Sequence, residues 1–110
     1  MKISLETNQR FDLSLKSPLN ITTDLLEAIK AEKCKFIDIE VEKKVIDVQY
    51  RTKTGIFLGV MIIKKSNGGI ELIIDNDGEK IKNLHNLTHE ELLAELETLP
   101  IARYVYLGTL

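Results

Sequence analysis

His85 and His89 stand four residues apart, the spacing at which two imidazoles on one continuous helix aim at a single metal ion. Thr88 is the better helix cap, however, so the helix is expected to begin between them. No Glu follows His85 at the spacing of an HExxH motif, and zinc would need a third protein ligand. The pair therefore reads as two solvated histidines around a helix start, and no metal is expected. Asp75-Asn76-Asp77-Gly78 has the look of a calcium loop. Aligning Gly78 with the loop's glycine, however, puts Ile73 and Leu84 where its first and last ligands belong. An acidic β-turn accounts for these residues better.

Cys34 lies between Lys33 and Lys35, neighbours that could lower a thiol pKa and make a nucleophile. A catalytic cysteine also needs a base, and both histidines are more than fifty positions away. A cysteine at a helix end, in a partly buried joint, is the expectation. Neither GxGxxG nor GxxxxGK[ST] occurs, so no cofactor is expected. Paired lysines at 43/44 and 64/65, with Lys80 and Lys82, are interleaved with acidic residues. They read as solubilising edge charge, and a nucleic-acid partner is not expected.

Two patterns point instead to a binding surface. Asp38, Glu40 and Glu42 recur on one strand face at intervals of about 6.6 Å, and a hairpin would set Asp47 beside them. Such a row is also what the wet face of a half-buried strand looks like. As a functional feature it would dock on a basic partner. The second pattern is Ile101 to Leu107, expected to be the final strand. Ala102, Tyr104 and Tyr106 would share one face and Arg103 would lie opposite with Val105 and Leu107. Tyr and Arg are frequent interface anchors, although core packing with hydroxyls at the rim would also suit the tyrosines.

The elements that would carry these residues follow from periodicity. Ile3 and Leu5 alternate with polar neighbours, as do Phe11, Leu13 and Leu15. A loop at Thr7-Asn8-Gln9 would make them a hairpin that Pro18 ends. Asp24 and Glu27 form a capping-box pattern for a helix through about Lys33, with Leu25, Leu26 and Ile29 buried. From Phe36 to Thr52 the apolar parity flips. A two-residue turn at Lys43-Lys44 would pair 41 with 46, 39 with 48 and 37 with 50; a bulged long strand is the alternative. Ile56 to Lys65 is the most hydrophobic strand, and a turn at Asn67-Gly68 would return Ile70 to Asp75. Phe57, Met61 and Ile63 would then share a face with Leu72 and Ile74, and both faces would be covered. A short piece around Ile81 follows. Thr88 and Glu91 then cap a helix buried through Leu92, Leu93, Leu96 and Leu99 and closed by Pro100.

These elements predict one α+β domain over residues 1–110. Its mostly antiparallel sheet would have five to seven strands with two short helices, in an order near ββαββββαβ. Composition agrees, since 35 of the 110 residues are Ile, Leu or Val, ample for a core. The net charge of -2 supplies no strong field toward nucleic acid or acidic membranes. The longest apolar run, Ile56 to Ile63, is far short of the roughly twenty residues of a membrane helix. The start shows no secretory pattern, and the lone cysteine suits a reducing compartment, so the cytoplasm is the expected location. Two short helices could leave one apolar sheet face for a partner.

The expectation is therefore a small, non-enzymatic protein-binding module. It would be an inhibitor that neutralises a toxin or nuclease by covering a basic site with carboxylates, as bacterial immunity proteins do, an analogy of size and charge. The alternative is a homodimeric structural or accessory subunit joined through an apolar sheet face.

Overall fold

A computed structural model of the chain describes residues 2–6, 22–52 and 54–110. These residues form six strands, β1 (Lys2–Glu6), β2 (Cys34–Val41), β3 (Val45–Thr52), β4 (Phe57–Lys64), β5 (Ile70–Asn76) and β6 (Glu79–Leu87). Helix α1 (Thr23–Ala31) joins β1 to β2, while α2 (His89–Glu95), a 3-10 turn (Leu96–Thr98) and α3 (Pro100–Leu107) follow β6. The strands form one antiparallel sheet in the order β1-β2-β3-β4-β5-β6, so the expected α+β architecture holds. The hairpin partner expected at 11–15, its loop and Pro18 lie outside the described residues.

Burial of one apolar set fixes the β2–β3 register. Val41 pairs with Ile46, Ile39 with Val48 and Ile37 with Tyr50, and all six side chains are buried. Lys43 and Lys44 form the two-residue turn, closed by Glu42 N–H donating to Val45 O at 2.8 Å. Neither lysine has a positive φ, so the bulged-strand alternative falls to the register and not to turn chemistry.

The β4–β5 hairpin departs from expectation by one residue. Lys65 N–H donates to Gly69 O at 2.9 Å, which leaves a three-residue loop, Ser66-Asn67-Gly68, with Gly68 at φ +88°. A left-handed glycine ending a three-residue loop is the usual alternative to the two-residue turn. The shift carries every β5 side chain to the other face. Leu72 now opposes Ile62 and Ile74 opposes Val60 on the core side, while Ile73 opposes Met61 on the outer side.

The next turn is Asp77-Gly78, with φ +52° and +83°, the backbone of a tight hairpin. It opens β6, which runs on to Leu87 instead of ending near Ile81. Polar residues break its alternation, and β5 supplies the pairing that its own sequence does not advertise. Register shifts fall between Ile74 and Asp75 and between Ile70 and Leu72; Ile81 is exposed and Asn86 has φ +56°.

Thr22 caps α1, its side chain accepting from Leu25 N–H at 3.2 Å, so Asp24 lies inside the first turn and is not the cap. Leu25, Ala28 and Ile29 are buried, while Leu26 is half-buried. The Thr88/Glu91 capping box of α2 is complete, with both reciprocal hydrogen bonds at 3.1 Å. The segment expected as the last strand is helix α3. Ile101, Ala102, Val105 and Tyr106 are its buried residues, a spacing of 3.6 and not 2. Pro100 does not merely stop the preceding helix: it takes the first position of this one, where its missing N–H costs nothing.

The three described helices share a core with one face of the sheet, including Ile37, Ile39, Val48, Val60, Ile62 and Leu72. Among the described residues no helix packs on the other face, where Phe57, Met61, Ile63 and Ile73 are half-buried. Among the described residues, the coverage expected on both sides of β4 is seen on the core side. No described helix is long and apolar enough to cross a membrane.

Candidate functional site

The outer sheet face is ordered by strand pairing. One cross-strand row runs Ser4, Asp38, Gln49, Gly59, Asp75, Lys80, and the next carries Glu40, Asp47, Met61, Ile73, Asn83. Beyond the first row, Phe36, Arg51 and Phe57 form a third. Adjacent strands are about 4.8 Å apart, so these residues make one continuous surface.

Three of the four carboxylates expected to lie together do so, because the Lys43-Lys44 turn sets Glu40 opposite Asp47 and leaves Asp38 one rung away. Asp75 joins them from β5, a member that the sequence reading missed. No local spacing links it to the others, and only the corrected β4–β5 register turns it to this side. Glu42 belongs elsewhere. It is exposed beyond the end of β2 and lines a separate hollow with Lys43, Lys44 and Lys64.

Burial pushes the Asp47 carboxyl above the usual Asp range. A hydrogen bond from Gln49 Nε2 to Asp47 Oδ2, at 3.2 Å, opposes that shift, while the charges of Glu40, Asp38 and Asp75 add to it. The Ser4 hydroxyl donates to Asp38. Arg51 lines a neighbouring hollow with Asp38, its guanidinium carbon 5.8 Å from the Phe57 ring centroid and its Nη1 donating to Gly55 O at 3.4 Å. At the far end of the face, Glu71 is nearly buried and takes Lys65 Nζ at 3.1 Å, with His85 Nδ1 at 3.7 Å. Lys65 above all, then the charges of His85 and Lys80, hold the Glu71 carboxyl below its ordinary range.

The tyrosine and arginine residues do not join this surface. As parts of α3 they lie on the opposite side of the sheet. Tyr106 is buried with its hydroxyl 2.7 Å from His89 Nδ1, and Arg103 rests 5.5 Å from the Tyr104 ring centroid. His89 is accordingly a half-buried partner of Tyr106, and not a solvated residue, while His85 lies on β6. Among the described residues no group of three or more His, Cys, Asp and Glu side chains is disposed to hold a metal ion.

Cys34 is 1% exposed, deeper than the partly buried joint expected of it. Burial and then the Glu32 charge push its thiol up to about 11, the reverse of what flanking lysines would do to a nucleophile. What the site offers chemically is a negative surface, partly desolvated at Asp47, beside the half-buried side chains of Met61 and Ile73.

No protein-family model matches the chain, nor does any curated protein or solved structure.

Proposed function

We propose that the chain is a small, non-enzymatic protein-binding module of the cytoplasm. In this reading it is an inhibitor or immunity-type protein that neutralises a toxin or nuclease by laying its outer sheet face over a basic site. The observation that carries it is the Asp47 carboxylate, partly desolvated and surrounded by the charges of Glu40, Asp38 and Asp75. A cationic surface would relieve that repulsion and cover Met61 and Ile73 in the same contact.

The same geometry weighs against the homodimeric alternative. Its support is the half-buried strip of Met61, Ile63 and Ile73, yet a two-fold contact through that strip would bring these carboxylates against their copies. Like charges brought together at an interface oppose association.

The test is capture of a stoichiometric partner from the native host at moderate salt, followed by measured affinity for that partner. Glu40→Lys combined with Asp75→Lys should weaken the complex at least tenfold and slow its association, with an unchanged circular dichroism spectrum. A complex indifferent to both substitutions and to salt would overturn the acidic-face reading. A concentration-dependent dimer, equally indifferent, would put the subunit reading in its place.

A further inference from the structure

We propose that the hollow over Gly59 is a receptor slot for one arginine side chain of the basic partner. This inference rests on the docking reading above and adds where on the face recognition is concentrated. The hollow encloses about 250 Å³ and lies between Phe57 and Met61 of β4, Ile73 and Asp75 of β5, and Asp47 and Gln49 of β3. Gly59 lines its floor without contributing a side chain, and the glycine is itself buried beneath Phe57 and Asp75.

Nothing in the fold requires glycine at that position. The backbone there is outside the left-handed region, and a Cβ would sit 3.8 Å from Asp75 Cβ and 3.9 Å from Phe57 Cε1, ordinary contacts both. Glycine in a strand interior is unfavourable and often marks close approach by another group. Here it lies at the floor of a recess in the middle of the sheet, walled by Phe57, Met61 and Ile73 and by the polar side chains of Asp47, Gln49, Asp75 and Lys80.

The charge around the recess selects its occupant. Asp47 and Asp75 stand on the two flanking strands, with Asp38 and Glu40 one strand farther out. Gln49 occupies one Asp47 oxygen, and Asp75 makes no ion pair among the described residues. Among the described residues, the cation at the rim is Lys80. A side chain that fits must carry an apolar stem past Phe57, Met61 and Ile73 and deliver a positive group to the carboxylates. Arginine suits this better than lysine, because its guanidinium is planar, weakly hydrated, stacks on aromatic rings and offers paired donors to a carboxylate. Phe57 already accepts one guanidinium, that of Arg51.

The test titrates ¹⁵N-labelled protein with N-acetyl-arginine amide and with its neutral citrulline counterpart. Saturable shifts centred on Gly59, Met61 and Ile73 are expected with the arginine probe. They should be at least tenfold weaker with citrulline and in Asp47→Asn, which removes a charge, and weaker in Gly59→Ala, whose methyl intrudes on the floor of the slot. Shifts that do not saturate, or that survive citrulline and both variants, would overturn the slot. The wider reading fails separately. Arginine binding without any basic partner would overturn docking and leave the slot standing, whereas a partner bound equally by wild type and Gly59→Ala would keep docking and overturn the slot.

Discussion

Asp47 stands directly across the β2–β3 ladder from Glu40, so two carboxylates share one rung of the outer face. Like charges in that position are destabilising, and folding holds Asp47 above its ordinary pKa of about 3.9. Between that ordinary value and the raised one, the folded state binds more protons than the unfolded state. Stability should therefore fall as pH rises through this window and stay lowered above it. Glu71 works in the opposite sense, since its contribution is present above the ordinary Glu range and is lost as pH falls through its depressed folded value. Asp47→Asn should flatten the fall above about pH 4 and raise neutral stability by up to about 1 kcal/mol, the scale of exposed charge pairs. Urea melts across that range check both the slope and its sign.

The register of β4 on β5 sets two neighbouring residues on unequal sides. Leu72 is fully buried against Ile62, whereas Ile73 is half-buried against Met61 on the outer face. Leu72→Ala should cost about 2–5 kcal/mol, the range for large-to-small changes in a core. Ile73→Ala should cost less than half of what Leu72→Ala does. Equal losses in chemical denaturation would contradict the three-residue loop.

Gly59→Ala should stabilise the chain by about 0.5–1 kcal/mol, because the added methyl meets only ordinary contacts and alanine loses less backbone freedom on folding. A higher thermal midpoint accompanied by weaker binding of a cationic probe would separate the role of this glycine in recognition from any role in folding.

Cys34 should be unreactive in the folded protein. Its thiol is buried and pushed up to about 11 by burial and by Glu32, so little thiolate is present at neutral pH. Labelling with a thiol reagent should track global unfolding and accelerate strongly in denaturant. Fast labelling of native protein would show that the end of β2 opens on its own.

How far the sequence determined this protein is clearest where one local signal dominates. The Thr88/Glu91 capping box was legible because both partners sit within one turn. The Lys43-Lys44 turn was legible because only one register buries Val41, Ile39 and Ile37 together with Ile46, Val48 and Tyr50. From that pairing came the meeting of Asp38, Glu40 and Asp47.

Other features were decided only in three dimensions. Ile101 to Leu107 alternates well enough to pass for a strand, and it became a helix because a 3.6-residue stripe could be buried against α1 and the sheet. Strand β6 has little apolar pattern of its own and exists by pairing with β5. Asp75 reached the acidic face through a single extra loop residue at Ser66-Asn67-Gly68, since a one-residue slip turns a whole strand over. Local propensity thus specified caps, turns and the pairing of near neighbours. Which side of the sheet each later residue faces was decided by competition for one buried core, and that competition assembled the acidic surface around Gly59.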